Sequence, residues 1–191
     1  GNATDESGNN NHGVNYGAIS PALDRQGNAA QSYNFTGGLI NIGHSNEMAL
    51  PEFTTSVWFK WRSNHPEHIY RTLLSKGEGA HLTHMNYMLN VVDTDNEDAS
   101  GRVQAVIGHG DIPNVPLESK ATILTSNVTV TDESWHCATL TFSSVNGAAN
   151  LYLDGQLHET KTNLPPAYMN TKQDATLGIW GGATYGIWDG F

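Results

Sequence analysis

One cysteine, Cys137, is present among 191 residues, so no disulfide can form within the chain. Charged side chains make up only 15%, too few for the periodic Glu, Lys and Arg faces of a helical domain. Basic residues are the scarcest: 9 Lys and Arg stand against 19 Asp and Glu, a formal net charge of −10. Such a surface repels phosphate backbones, which excludes nucleic acid as an expected partner, and attracts cations. No run approaches about 18 apolar residues, so membrane insertion by a helix is not expected. Helical periodicity of useful length is missing as well.

What remains is rich in glycine, with 20 residues, and in Asn, Ser and Thr, a mix that suits many strands joined by turns. Period-two alternation is clearest at 138–143 (ATLTFS), where Ala138, Leu140 and Phe142 fall on one face and Thr139, Thr141 and Ser143 on the other. Asn146-Gly147 follows, the favoured pair of a two-residue hairpin. Folding there sets Phe142 opposite Leu151 and Leu140 opposite Leu153, so four apolar side chains share a buried face. Asp154-Gly155 marks a second hairpin, with Tyr152 opposite Leu157, and completes a three-stranded meander over 138–160. Further strands are expected at 53–61, 87–92, 102–107 and 122–131, with a strand, a bend and a turn at 178–188. No internal repeat or linker interrupts the pattern, so residues 1–191 read as a single domain.

Three segments, in order, carry a family resemblance. Residues 5–13 (DESGNNNHG) resemble an Asp-x-Ser-Gly-Asn-x-x-x-Gly opening turn. Residues 53–60 (FTTSVWFK) resemble a strand of pattern FT-x-S-x-W-x-K. Trp135-His136, the meander, and 151–157 (LYLDGQL) resemble a WHHVAVTF…LYVDGQL block. Together they resemble the laminin-G-like, concanavalin-A-like jelly-roll family over nearly the whole chain. The resemblance implies an all-β, two-sheet antiparallel β-sandwich, set outside the cell or on a cell or virion surface. Members usually carry an apolar strand before the opening turn and a final strand with an acidic pair after a Gly-x-x-Asp-Gly-Phe region. Here four residues precede the turn and the sequence stops at Phe191. The expectation is therefore a module of a larger polypeptide or assembly, completed by neighbouring domains or subunits.

The same resemblance implies a structural calcium at the opening turn. Calcium takes six to eight oxygens from carboxylates, amides and backbone carbonyls, and Asp5, Asn9 and Asn11 offer such oxygens, with Asp189 as a closing ligand. A bland reading stands beside it: Asp, Asn and Gly make turns. The acidic run 93–98 (DTDNED) lacks the Gly and Glu of an EF-hand loop and reads as a solvated hairpin loop. Neither His65 and His68, nor His81 and His84, nor His136 beside Cys137 meets the further ligands zinc requires.

Flat aromatic faces bind sugar rings, and Trp180, Tyr185 and Trp188, in a Gly-rich stretch, are the candidate ligand-binding platform. Trp58 and Trp61, three apart, point to opposite faces, one into the core. Trp135 reads as a packing residue, and Cys137 as a small apolar one. Asn2, Asn34 and Asn127 open glycosylation sequons. No catalytic pattern appears: neither paired carboxylates alternating along a strand nor a Gly-x-Ser-x-Gly elbow. The expected function is a non-catalytic module for glycan or surface-protein binding and adhesion. The alternatives are a purely structural or decorating sandwich, or a truncated polysaccharide hydrolase or lyase.

Overall fold

The computed structural model describes residues 3–61, 70–77, 82–92, 100–111, 120–169 and 172–178. These contain β1 (Val14–Ala22), β2 (Ser32–Gly43), β3 (Glu52–Lys60), β4 (Tyr70–Gly77), β5 (Met85–Val92) and β6 (Arg102–Gly108). After them come β7 (Ala121–Thr129), β8 (Trp135–Ser143), β9 (Ala148–Leu153), β10 (Gln156–Lys161) and β11 (Ala175–Leu177). The helical content of the described residues is two three-residue 3₁₀ turns, Asn46–Met48 and Leu82–His84.

Two sheets face each other, a seven-stranded one of order β1-β2-β11-β4-β5-β6-β7 and a four-stranded one of order β10-β9-β8-β3. Every described pairing is antiparallel. The expected all-β sandwich is the observed fold. The alternation that marks the strands also builds the core. On β8 and β9, Ala138, Leu140, Phe142, Ala149, Leu151 and Leu153 are buried. They pack against Leu89, Val91, Val103, Ala105 and Leu124 of the large sheet. On β3 the exposed positions are Glu52, Thr54, Ser56 and Trp58, while Phe59 is fully buried.

The first hairpin differs from the expected register. Leu140 pairs with Leu151, Phe142 with Ala149 and Ala138 with Leu153, because Ser143 pairs with Ala148 and the loop spans four residues, 144–147. The longer loop is held from outside: Leu164 N donates to Gly147 O at 2.9 Å, and Gly147 sits at φ 55 against the Leu164 backbone. A slip of two residues leaves every side chain on its face, so the four expected core residues are buried together all the same. The second hairpin forms as expected, with Asp154 at φ 52 and Gly155 at φ 78 and Tyr152 opposite Leu157.

Cys137 also differs from expectation. It lies on the strand face opposite Ala138 and Leu140 and is half-buried, so it does not pack in the core. Trp61 is 1% exposed and Trp58 47%, the split that their spacing requires. The strand, bend and turn expected at 178–188 fall outside the described residues, apart from Gly178, as does the acidic loop 93–98.

The two lateral edges of the sandwich differ. At one, β10 reaches β7: Glu159 Oε2 accepts the Thr125 amide at 2.6 Å, and the Asn127 amide meets His158 Nδ1 at 3.4 Å. At the other, the small sheet ends at β3 while the large sheet continues through β11, β2 and β1.

Candidate functional site

The overhang at β3 leaves a groove of about 380 Å³ between the sheets. Its floor is apolar, made by Phe35 and Ile40 of β2, Leu73 of β4 and Leu177 of β11. Its walls are aromatic: Tyr33, Trp58 and Trp135. Its mouth is polar, formed by Asp24, Arg25, Gln26 and Gln31 of the β1–β2 loop. A second hollow of about 410 Å³, lined by Leu23, Lys60 and others, shares Asp24, Ser32 and Trp135 with it.

The loop that shapes the mouth is stitched to itself. Asp24 Oδ1 accepts the Gln26 and Asn28 amides, both at 2.8 Å, and Oδ2 accepts Asn28 Nδ2 at 3.0 Å. Those bonds, led by the Asn28 side chain, hold the Asp24 carboxyl below its ordinary value. The Gly27 amide donates to Asp24 O at 3.0 Å, and Ser32 Oγ to Leu23 O at 2.8 Å. The Arg25 charge adds a smaller lowering of the Asp24 carboxyl, and its guanidinium carbon lies 4.4 Å from the Trp58 ring centroid, within cation–π range. An exposed aromatic face beside planar polar side chains, over an apolar floor, is the usual make-up of a small-ligand site.

The expected platform, Trp180, Tyr185 and Trp188, lies outside the described residues, as does Asp189. The opening turn is described. Asp5 Oδ1 accepts the Ser7 amide at 2.8 Å and Oδ2 the Asn11 amide at 2.9 Å. Bonds from Ser7, then from the Asn11 backbone, lower the Asp5 carboxyl to about 2. The Asn9 amide meets Ser7 Oγ at 3.3 Å. Asp5, Asn9 and Asn11 thus share one tight turn. Among the described residues no three His, Cys, Asp or Glu converge in a way that would hold a metal ion. His84 meets Asp111 Oδ2 at 3.0 Å, and its ring lies 5.1 Å from that of Tyr168, tilted by 35°.

His136 is the other fixed ionic group. Its Nδ1 lies 2.8 Å from Asp154 Oδ2 and its Nε2 2.9 Å from Asp132 Oδ1. Burial alone lowers its pKa; hydrogen bonds to Asp154 and Asp132 outweigh burial and raise it. The Cys137 amide donates to Asp154 Oδ1 at 2.7 Å. This cluster ties the 154–155 turn to the start of β8.

Residues 34–190 match the family described as the concanavalin A-like lectin/glucanases superfamily. The chain belongs to it. No curated protein matches the chain. Among solved structures, this superfamily member is similar to the IT-sialidase CBM40 of Ruminococcus gnavus, with a TM-score of 0.57 and 15% identity over 91% of this chain and 88% of that one. The same CBM40 bound to alpha2,3 sialyllactose gives 0.57 and 14% over 93% and 87%. A structure of botulinum neurotoxin type C, described by cell entry that depends upon interaction with two ganglioside molecules, gives 0.63 and 13% over 95% of this chain and 41% of that one. At such identities the likeness is one of fold.

The residues that the groove brings together were only partly visible beforehand. Trp58 was expected as the outward member of its pair or as the inward one. Its parity with Thr54 and Ser56, both polar, marks it as outward. Arg25 carried no signal in sequence: its role depends on where the 23–31 loop lands against β3.

Proposed function

We propose that the chain is a non-catalytic glycan-binding module of a secreted or surface protein, and that the groove beside β3 is its binding site. The observation that carries this reading is Trp58. It is a large aromatic side chain left 47% exposed at the mouth of a groove whose other groups, Arg25, Gln26 and Gln31, match the hydroxyls and ring faces of a sugar. The relatives in fold whose descriptions name sialyllactose or gangliosides agree with it. The non-catalytic part draws on the single carboxylate among the groove's described lining, Asp24. Its oxygens are taken by local amides, whereas glycoside hydrolysis uses two carboxyl groups across the bond. Calcium at the Asp5 turn belongs to the same proposal as a structural ion, with Asn9 and Asn11 beside it.

The test is an array of immobilised oligosaccharides probed with the chain and with Trp58→Ala. Binding by the parent chain, weakened about tenfold or more in the variant as expected for an aromatic anchor, supports the reading. A parent chain that binds no glycan, or binding untouched by Trp58→Ala, removes it.

A further inference from the structure

We infer that the groove selects acidic sugars, with Arg25 receiving a carboxylate carried by the glycan. This rests on the glycan-binding reading above and narrows its ligand class. Three observations meet here. First, Arg25 is ordered without using any hydrogen-bonding capacity. Its guanidinium carbon lies 4.4 Å from the centroid of the Trp58 ring, a cation–π contact that uses none of the five N–H donors in a hydrogen bond. Among the described residues no carboxylate or carbonyl takes any of those donors. A long side chain held in one place with its fork unoccupied has already lost much of the rotamer entropy that binding would otherwise cost.

Second, the nearest acid is withheld from it. Asp24 is adjacent in sequence, yet both its oxygens are bonded to Gln26 and Asn28. An arginine kept only to balance a surface charge would pair with that carboxylate. The loop instead bonds the Asp24 oxygens internally, and Arg25, which acts on that carboxylate through its charge, lies against Trp58 in the groove lining.

Third, a second cation stands at the same place. Lys60 shares the exposed alternation of β3 with Trp58 and lines the hollow that adjoins the groove through Trp135 and Ser32. It too has no carboxylate partner among the described residues. Elsewhere basic side chains are engaged: Lys120 with Asp111, Lys161 with Glu159, and Lys76 with His44 and the Gln173 carbonyl. In a chain of net charge −10, the groove and its adjoining hollow together carry two cations, Arg25 and Lys60, against one carboxylate, Asp24. A planar carboxylate on a sugar ring suits the two parallel N–H bonds of the Arg fork, and the ring itself meets the walls formed by Tyr33 and Trp135.

The experiment is calorimetric titration with matched pairs that differ only in an acidic sugar: lactose against alpha2,3 sialyllactose, and neutral galactose oligomers against galacturonate oligomers of equal length. The expected result is a preference for the acidic member of a pair by about 10- to 100-fold, the range of a charge-assisted bidentate contact. Arg25→Gln is expected to abolish that preference, with the acidic member losing about 10-fold or more in affinity relative to its neutral partner. Arg25→Lys is expected to restore only part of it, since a point charge lacks the fork. Trp58→Ala is expected to weaken both members. Equal binding of both members by the parent chain, sensitive to Trp58→Ala, overturns the selectivity and leaves the glycan site standing. A preference that survives Arg25→Gln in a folded variant overturns it as well. Binding of neither member overturns the site and the selectivity together.

Discussion

The two lateral edges of this sandwich solve the same problem in opposite ways. Any sheet of finite width must do something with the polar backbone and apolar side chains at its margin. At the β7–β10 edge the sheets are drawn together, and side chains of one bond to the backbone of the other: Glu159 to the Thr125 amide, His158 to the Asn127 amide. At the β3 edge the small sheet stops early and the large one runs on. The space between becomes a groove with an apolar floor and a polar rim. The stitched edge spends its polar groups on the fold. The open edge leaves the Arg25 and Lys60 donors without hydrogen-bond partners among the described residues, and Trp58, with Arg25 over its ring, 47% exposed. On the proposed function, stability and recognition are separated by position within one fold, in line with the general placing of binding groups on loops held by a rigid scaffold.

Both edges rest on the shared core, so the largest effect is expected there. Phe142→Ala is expected to cost about 3–5 kcal/mol, the range for a buried aromatic, and urea unfolding measures it. A loss under about 0.5 kcal/mol would show that the meander does not support the two edges equally. At the stitched edge, Glu159→Ala leaves the Thr125 amide without its acceptor and is expected to cost about 1–3 kcal/mol with no change in glycan binding. At the open edge the pattern is expected to reverse. Trp58→Ala is expected to stay within about 1 kcal/mol of the parent in stability while it loses binding. Similar stability losses from both variants would erase the distinction between the edges.

A smaller effect concerns the His136 clamp. Its folded pKa is raised above the ordinary value, so the stabilisation it gives is fully present below the unfolded pKa of about 6.5. It is lost as pH rises through the folded pKa. The chain is expected to be slightly more stable at mildly acidic than at alkaline pH, by roughly 1 kcal/mol or less for partly exposed ion pairs, and His136→Gln to flatten that slope. Asp132, lowered to about 2 chiefly by its bond to His136, sets the acid limit, since its share is lost as pH falls from the ordinary Asp range toward that value. Thermal melts from pH 5 to pH 9 read the effect, and a parent profile already flat over that window would show that the clamp contributes nothing.

The smallest and most conditional effect is calcium at the Asp5 turn. An ion bound only to the folded chain raises the melting point as its concentration passes its Kd. Melts with calcium and with chelator are expected to differ, and Asp5→Asn to remove the difference. Identical midpoints for the parent chain would leave Asp5 as the acceptor of two turn amides and nothing more.

How much of this was legible in sequence follows the range of the forces involved. The meander was, because alternation at 138–143 and the Asp154-Gly155 turn are local. Its first register was misjudged by two residues, because Leu164 and Gly147 meet across the fold and lengthen the loop. Trp58 and Trp61 were correctly set on opposite faces. Strands β1, β2, β4 and β11 gave no usable pattern. β2 carries Gly37 and Gly38, and the β1–β2 register shifts between Gly17 and Ile19; β4 has a shift between Thr72 and Leu74. Each interruption moves the apolar positions to the other parity, and strict alternation disappears. β11 is only three residues long and becomes a strand because two neighbours accept it. The groove joins residues as far apart as Tyr33, Trp58, Trp135 and Leu177, so no local pattern can announce it.

β11 has one more consequence, for the order in which the chain can assemble. Among the described residues it is the one strand that joins β2 to β4 in the large sheet, and its partners Ile40 and Leu74 precede Leu177 by more than half the sequence. During synthesis the β1–β2 hairpin and the β4–β7 meander emerge early, each with an unpaired margin, and wait until residues 175–177 leave the ribosome. Pairings so distant along the chain make folding slow. The interval before β11 arrives is when the nascent protein depends most on being kept apart from its neighbours.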